Sequence, residues 1–294
     1  MGSNLIDIWV RVYNGSPKIF IPGTKFDVCF TILSTLCLSV VRALSTFIYI
    51  RIFNFDPTNR RTLEMAASTT SAIHSLLLVP VLWQLLRDQP FVPSAPIANA
   101  PQRYKDGVTA MLQLCTGYMI YDFIFMMKLE GWTIHADDLA FAAHHFVTIF
   151  VMTQTRILGA GHVFTMNLMW SGEWTNPLQN LLYVTKYAIQ MTPDDSFVHM
   201  IHPYVEMAYA LFYLFFRAVV GPGLIVINTF DLLFTKEGRK NIPFKVSLLW
   251  CPMTAGIIIG SIPWTIEAYD MIMDGLGNVK YHKDFDYGPR FGGL

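Results

Sequence analysis

Asp137-Asp138-Leu139-Ala140-Phe141-Ala142-Ala143-His144-His145-Phe146-Val147-Thr148 sets two adjacent histidines inside an apolar run that continues through Ile149-Phe150-Val151-Met152. Such a run suits a helix within a bilayer, where polar side chains are costly and call for a reason. The rest of the chain reads as the frame that holds this pair.

Composition supports a membrane setting. Of the 294 residues, 53% are hydrophobic and only 14% charged, whereas soluble domains carry about a quarter charged residues. The formal net charge is zero and there is no basic block, so nothing points to nucleic acid. Cys29, Cys37, Cys115 and Cys251 fall in apolar stretches without paired spacing. They read as small buried apolar residues, and no metal site is expected. Arg11, Asn14, Pro17, Lys18 and Pro22 interrupt the first 25 residues. No cleavable signal peptide is evident there, and the first long apolar run is expected to insert the chain.

Seven apolar segments follow, at about 27–50, 63–86, 107–128, 138–155, 160–186, 204–229 and 246–268, each near the roughly 20 residues a spanning helix needs. The expectation is an all-α polytopic membrane protein with about seven transmembrane helices. Polar loops at 54–61 and 87–101 separate the first three segments and those at 191–195 and 236–241 the last three, and the four prolines of 87–101 forbid a helix interior. The chain divides into an N-terminal interfacial segment (1–25), a first transmembrane helix with its loop (26–59), a main membrane domain (60–268) and a polar tail (269–294). Lys and Arg are nearly balanced between the two sides, which leaves orientation open.

Within the segments, polar residues recur at helical spacing. Ser68-Thr69-Thr70-Ser71-Ala72-Ile73-His74 lets helices approach closely and bond across the interface. His74 either packs as a satisfied histidine or joins a site. Tyr118, Tyr121, Asp122 and Phe125 share one helix face. An aspartate there costs about 2.5–3.5 kcal/mol near the bilayer centre, so a histidine partner is expected. His144 and His145 point about 100° apart, so one should face a cavity and the other a neighbouring helix. Asp137 and Asp138 read as an N-cap and first-turn acids. Glu173, Asn176 and Asn180 share another face, beside a kink at Pro177. Arg42 should pair or snorkel, and Arg217 could neutralise Asp122 or Glu173, the bland alternative to a role in a site.

Taken in order, Ser71-x-x-His74, Tyr118-x-x-Tyr121-Asp122, His144-His145, Glu173-x-x-Asn176-Pro177 and Phe216-Arg217-x-x-x-Gly221-Pro222 resemble the TLC-domain (Tram-Lag-Cln) family over about residues 60–268. The resemblance implies six helices around a central cavity, preceded here by one more, and residence in the endoplasmic reticulum. Ceramide synthases of that family use paired histidines to move a fatty acyl group from acyl-CoA to a sphingoid amine. Carried across, His144 and His145 would be the base or transient acyl acceptor, since imidazole has a pKa near about 6.5 and a nucleophilic neutral nitrogen. Asp122 would orient one imidazole. His74, Tyr118, Tyr121, Glu173, Asn176 and Arg217 would bind substrate.

Ceramide synthases also carry a His-Asp-x-Ser-Asp stretch after the pair. Here Trp170-Ser171-Gly172-Glu173 stands in its place, so the chain resembles the smaller TLC-domain proteins more. Two functions stay open: a ceramide-synthase-like acyltransferase acting on a lipid amine or hydroxyl, and a non-catalytic lipid-binding or sensing protein that regulates membrane lipid composition or protein traffic. No bound cofactor is expected, acyl-CoA entering as a substrate. Membrane lipids are the expected partners, and a homo-oligomer is compatible with the sequence.

Overall fold

Backbone polar groups inside a bilayer must bond within their own segment, so a chain of this composition folds as helices. The computed structural model describes residues 5–24, 26–134 and 139–276, and among them there is no strand. The helices are α1 (Leu5–Gly15), α2 (Cys29–Arg51), α3 (Arg60–Arg87), α4 (Gln102–Leu129), α5 (Leu139–Leu158), α6 (His162–Glu173), α7 (Asn176–Met191), α8 (Ser196–Leu214), α9 (Gly221–Phe234), α10 (Lys236–Asn241), α11 (Phe244–Gly260) and α12 (Ile262–Leu276). A π-helical turn, Phe215–Val220, joins α8 to α9. Side chains cap three of the starts, one of them Thr235, whose hydroxyl accepts from the Gly238 N–H at 2.9 Å to open α10. Asn59 accepts from the Arg61 N–H at 2.9 Å, and Asp195 accepts from the Phe197 and Val198 N–H groups.

The chain is an all-α polytopic membrane protein. Among the described residues five helical stretches are long and apolar enough to cross a membrane: Cys29–Arg51, Arg60–Arg87, Gln102–Leu129, Ser196–Phe234 and Phe244–Gly275. The expected fourth and fifth segments are helical but fall outside this set. His144, His145, Gln154 and Arg156 dilute α5, a helix of 20 residues. The fifth is cut into α6 and α7 at Trp174-Thr175, with Pro177 in the first turn of α7. The interruption falls where the kink at Pro177 is expected: Trp174 and Thr175 keep right-handed helical dihedrals, and proline suits a helix start but not its interior.

Burial separates the inner helices from the outer ones. In their most apolar windows, 67% of α3 and 78% of α4 is buried, against 22% of α2. Leu36, Val40 and Leu44 of α2 and Val226 and Phe230 of α9 are exposed, as befits surfaces facing lipid. Cys29, Cys115 and Cys251 are buried, but Cys37 is exposed; an apolar position on a membrane helix need not face protein. Arg42 places its guanidinium over the Phe125 ring at 4.5 Å, a cation–π contact within the bundle.

Small residues hold α2 against α4. A Cβ on Gly117 would lie 2.6 Å from the Thr31 carbonyl oxygen, and the Gly117 carbonyl accepts from Thr35 Oγ1 at 3.0 Å. The proline-rich loop is pinned across the turn between α5 and α6. Ile97 N–H donates to the Gly159 carbonyl at 2.8 Å, and Ser94 N–H to the Asp231 carboxylate at 2.7 Å. In the same turn Gly161 takes φ +80° and leaves room for the Trp250 ring, which a Cβ would meet at 2.7 Å. That ring is fully buried, stacks on Phe164 and donates to Gln154 at 2.9 Å. Helix α5 is thereby held between α4 and α11, its histidines turned to the interior.

Candidate functional site

The polar faces of α3, α4, α5 and the α6–α7 break converge on one cavity of about 500 Å³, with the rest of its wall from α8, the π-helical turn, α11 and α12. Pockets that take small molecules span about 300–1,000 Å³ and are mostly apolar with a few placed polar groups. Tyr118, Asp122, His144, His145, Glu173, Asn176 and Arg217 line it. His74 and Tyr121 stand behind the wall, His74 stacked on the Tyr118 ring at 3.9 Å and Tyr121 on Phe125.

His145 is buried and held from both sides. Its Nδ1 is 2.9 Å from the Phe141 carbonyl oxygen one turn back, and its Nε2 is 3.3 Å from Asp122 Oδ2. A carbonyl only accepts, so Nδ1 carries a hydrogen. The ring is then either an imidazolium facing a carboxylate, or a neutral imidazole accepting at Nε2 from a protonated Asp122. In neither form does His145 keep a free lone pair. His144 differs. Half-buried on the cavity wall, its ring makes no hydrogen bond to a described residue and sits 5.6 Å from the His145 ring, edge to face. Both histidines touch the cavity, but only His145 is also bonded to a neighbouring helix, through Asp122 of α4. Asp137 and Asp138 lie outside the described residues.

The break between α6 and α7 builds a second histidine–carboxylate pair. Glu173, the last residue of α6, accepts from Ser75 Oγ at 2.6 Å and Asn176 Nδ2 at 2.9 Å, and its Oε2 is 3.6 Å from His74 Nδ1. Asn180 donates both to the Asn176 carbonyl and to Ser71 Oγ, and Ser71 Oγ shares a 2.7 Å hydrogen bond with the Tyr118 hydroxyl. Tyr118 in turn lies 3.5 Å from Asp122. The two pairs are therefore the ends of one network across α3, α4 and α7.

Arg217 departs from expectation. It forms an ion pair with neither Asp122 nor Glu173; one Nη donates to the Gly172 carbonyl at 3.4 Å, at the end of α6. Histidines have taken the carboxylates instead. Ser75, Gln179, Tyr183, Tyr213 and Trp264 also belong to the site or its supports and go beyond the sequence expectations. Ser75 had a signal, being one turn beyond Ser71, and Gln179 and Tyr183 continue the α7 face that Asn176 opens. Nothing in the apolar run holding Trp264 marked it.

A search of curated proteins gave no match. The family model described as the TLC domain matches residues 64–269, most of the chain and every polar residue of the network just described. Membership suggests a membrane protein of lipid metabolism or sensing. The chain belongs to the TLC-domain family.

Proposed function

We propose that the cavity is an acyl-transfer site in which His144 is the reacting imidazole and the chain acts as a ceramide-synthase-like acyltransferase on a lipid amine or hydroxyl. The observation that carries this is the contrast within the pair. Both nitrogens of His145 are committed, and the His144 ring stands open on the cavity wall. A chamber that only holds lipid has use for buried pairs but none for an uncommitted imidazole.

In the first step a His144 nitrogen attacks the thioester carbonyl carbon of an acyl-CoA. The C–S bond breaks, coenzyme A leaves as the thiolate, and the thiolate takes the proton that the ring sheds. In the second step the lipid amine or hydroxyl attacks the acyl carbon, the C–N bond to the ring breaks, and the ring recovers a proton from the attacking group. His145 and Asp122 position the His144 ring from one side, and the Glu173 end of the network offers acceptors to the incoming group. The membrane we assign to this activity is the endoplasmic reticulum, as the family implies.

The test is release of free coenzyme A thiol by the purified protein in detergent. Long-chain acyl-CoA should yield thiol above the protein-free rate, and adding an amine or hydroxyl lipid should raise it further. A protein that retains lipid yet releases no thiol from any chain length would be a lipid-binding or sensing protein instead.

A further inference from the structure

Arg217 is the one cavity-wall cation that no described carboxylate answers; its guanidinium lies 5.7 Å from the Tyr213 ring, a cation–π contact that spends none of its N–H donors. The other carboxylates and imidazoles on that wall are Asp122, His144, His145 and Glu173, beside the phenols of Tyr118, Tyr183 and Tyr213 and the Cys115 thiol. Asp122 is paired with His145, and Glu173 lies against His74 while accepting from Ser75 and Asn176. Arg217 Nε is buried without a hydrogen-bond partner, and its one bond, to the Gly172 carbonyl, is long. A guanidinium holds its proton and offers five N–H donors in a flat fork. Inside a bilayer such a charge is expensive unless something anionic meets it.

The backbone presents this cation deliberately. Arg217 lies in the π-helical turn Phe215–Val220, a rare geometry that is frequent at functional sites. Gly172 stands beside the guanidinium and supplies the carbonyl that it reaches. Tyr213 and Ser261 add hydroxyls to the same part of the wall.

We infer that the Arg217 end of the cavity binds the oxyanion head, phosphate or carboxylate, of an amphiphile whose chain lies in the apolar remainder. Fork-to-oxyanion bonding suits both groups and is among the stronger hydrogen-bonded contacts proteins make. The inference rests on the cavity being a substrate chamber, not on turnover within it. The anion has two sources: the head of a lipid, or the phosphates of coenzyme A.

Binding isotherms in uncharged maltoside micelles decide it, with dioleoyl phosphatidic acid, oleate and coenzyme A as probes and dioleoylglycerol as the neutral control. Wild type should bind phosphatidic acid or oleate at least about tenfold more tightly than dioleoylglycerol, or else bind coenzyme A. Arg217→Gln should lose about ten- to a hundredfold for the preferred anion, while Arg217→Lys, which keeps the charge but not the fork, should lose less than Arg217→Gln. Loss confined to phosphatidic acid or oleate identifies a lipid head, and loss confined to coenzyme A identifies the donor. Equal binding of anion and neutral control by wild type, or unchanged anion binding by a folded Arg217→Gln, overturns the inference. His144→Ala should bind the anion as wild type does, so a failure of turnover and a failure of anion binding can be told apart.

Discussion

His144→Ala is expected to lower acyl transfer by at least about 10²–10⁴-fold, the worth of a positioned acid or base and a lower bound for a lost nucleophile, with little change in melting temperature. The two halves of that expectation have separate physical grounds. The ring is half-buried and makes no hydrogen bond to a described residue, so its loss strands no polar partner. Truncation beside an existing cavity also leaves less new void than truncation in a packed core. Activity and thermal unfolding of the same preparation check both halves. A large fall in stability would mean that the ring supports the fold, and normal turnover would remove it from the chemistry.

His145 should behave in the opposite way. His145→Ala leaves Asp122 buried, at 1% exposure, without the imidazole that neutralises it, and Asp122→Ala strands His145 in the same manner. Breaking a buried pair from one side costs about 3–5 kcal/mol. Each single variant should therefore lower stability steeply and lower activity with it. Replacing both residues with apolar ones removes the stranded group, so the double variant should be more stable than the sum of the single losses predicts. Denaturant or thermal unfolding of the four proteins closes the cycle. Strictly additive losses would show that the 3.3 Å contact contributes no coupling.

The contrast between these neighbours marks how far the chain could be read without its fold. Polar residues in apolar segments are conspicuous because lipid penalises them, so Asp122, Glu173 and the two histidines stood out, and helical spacing placed each on a face. The break at the start of α7 was legible from Pro177. What the chain does not display is which face meets which neighbour. That decides that Asp122 falls to His145 and not to Arg217, and that His74 reaches Glu173 from behind the wall. Arg217 turns on a backbone carbonyl and a π-helical turn, and neither has a residue-type signature. The polar groups that equip α5 and the α6–α7 break lower the hydropathy by which spanning helices are recognised.

The most direct test of His144 as the reacting group is peptide mapping over residues 137–156 after brief exposure of the purified protein to acyl-CoA without acceptor, followed by an acid quench. An adduct of acyl mass on His144, lost on adding the acceptor lipid and missing from His144→Ala, is the predicted result. Acyl transfer that proceeds with an unmodified His144, or with the adduct on His145, would contradict it.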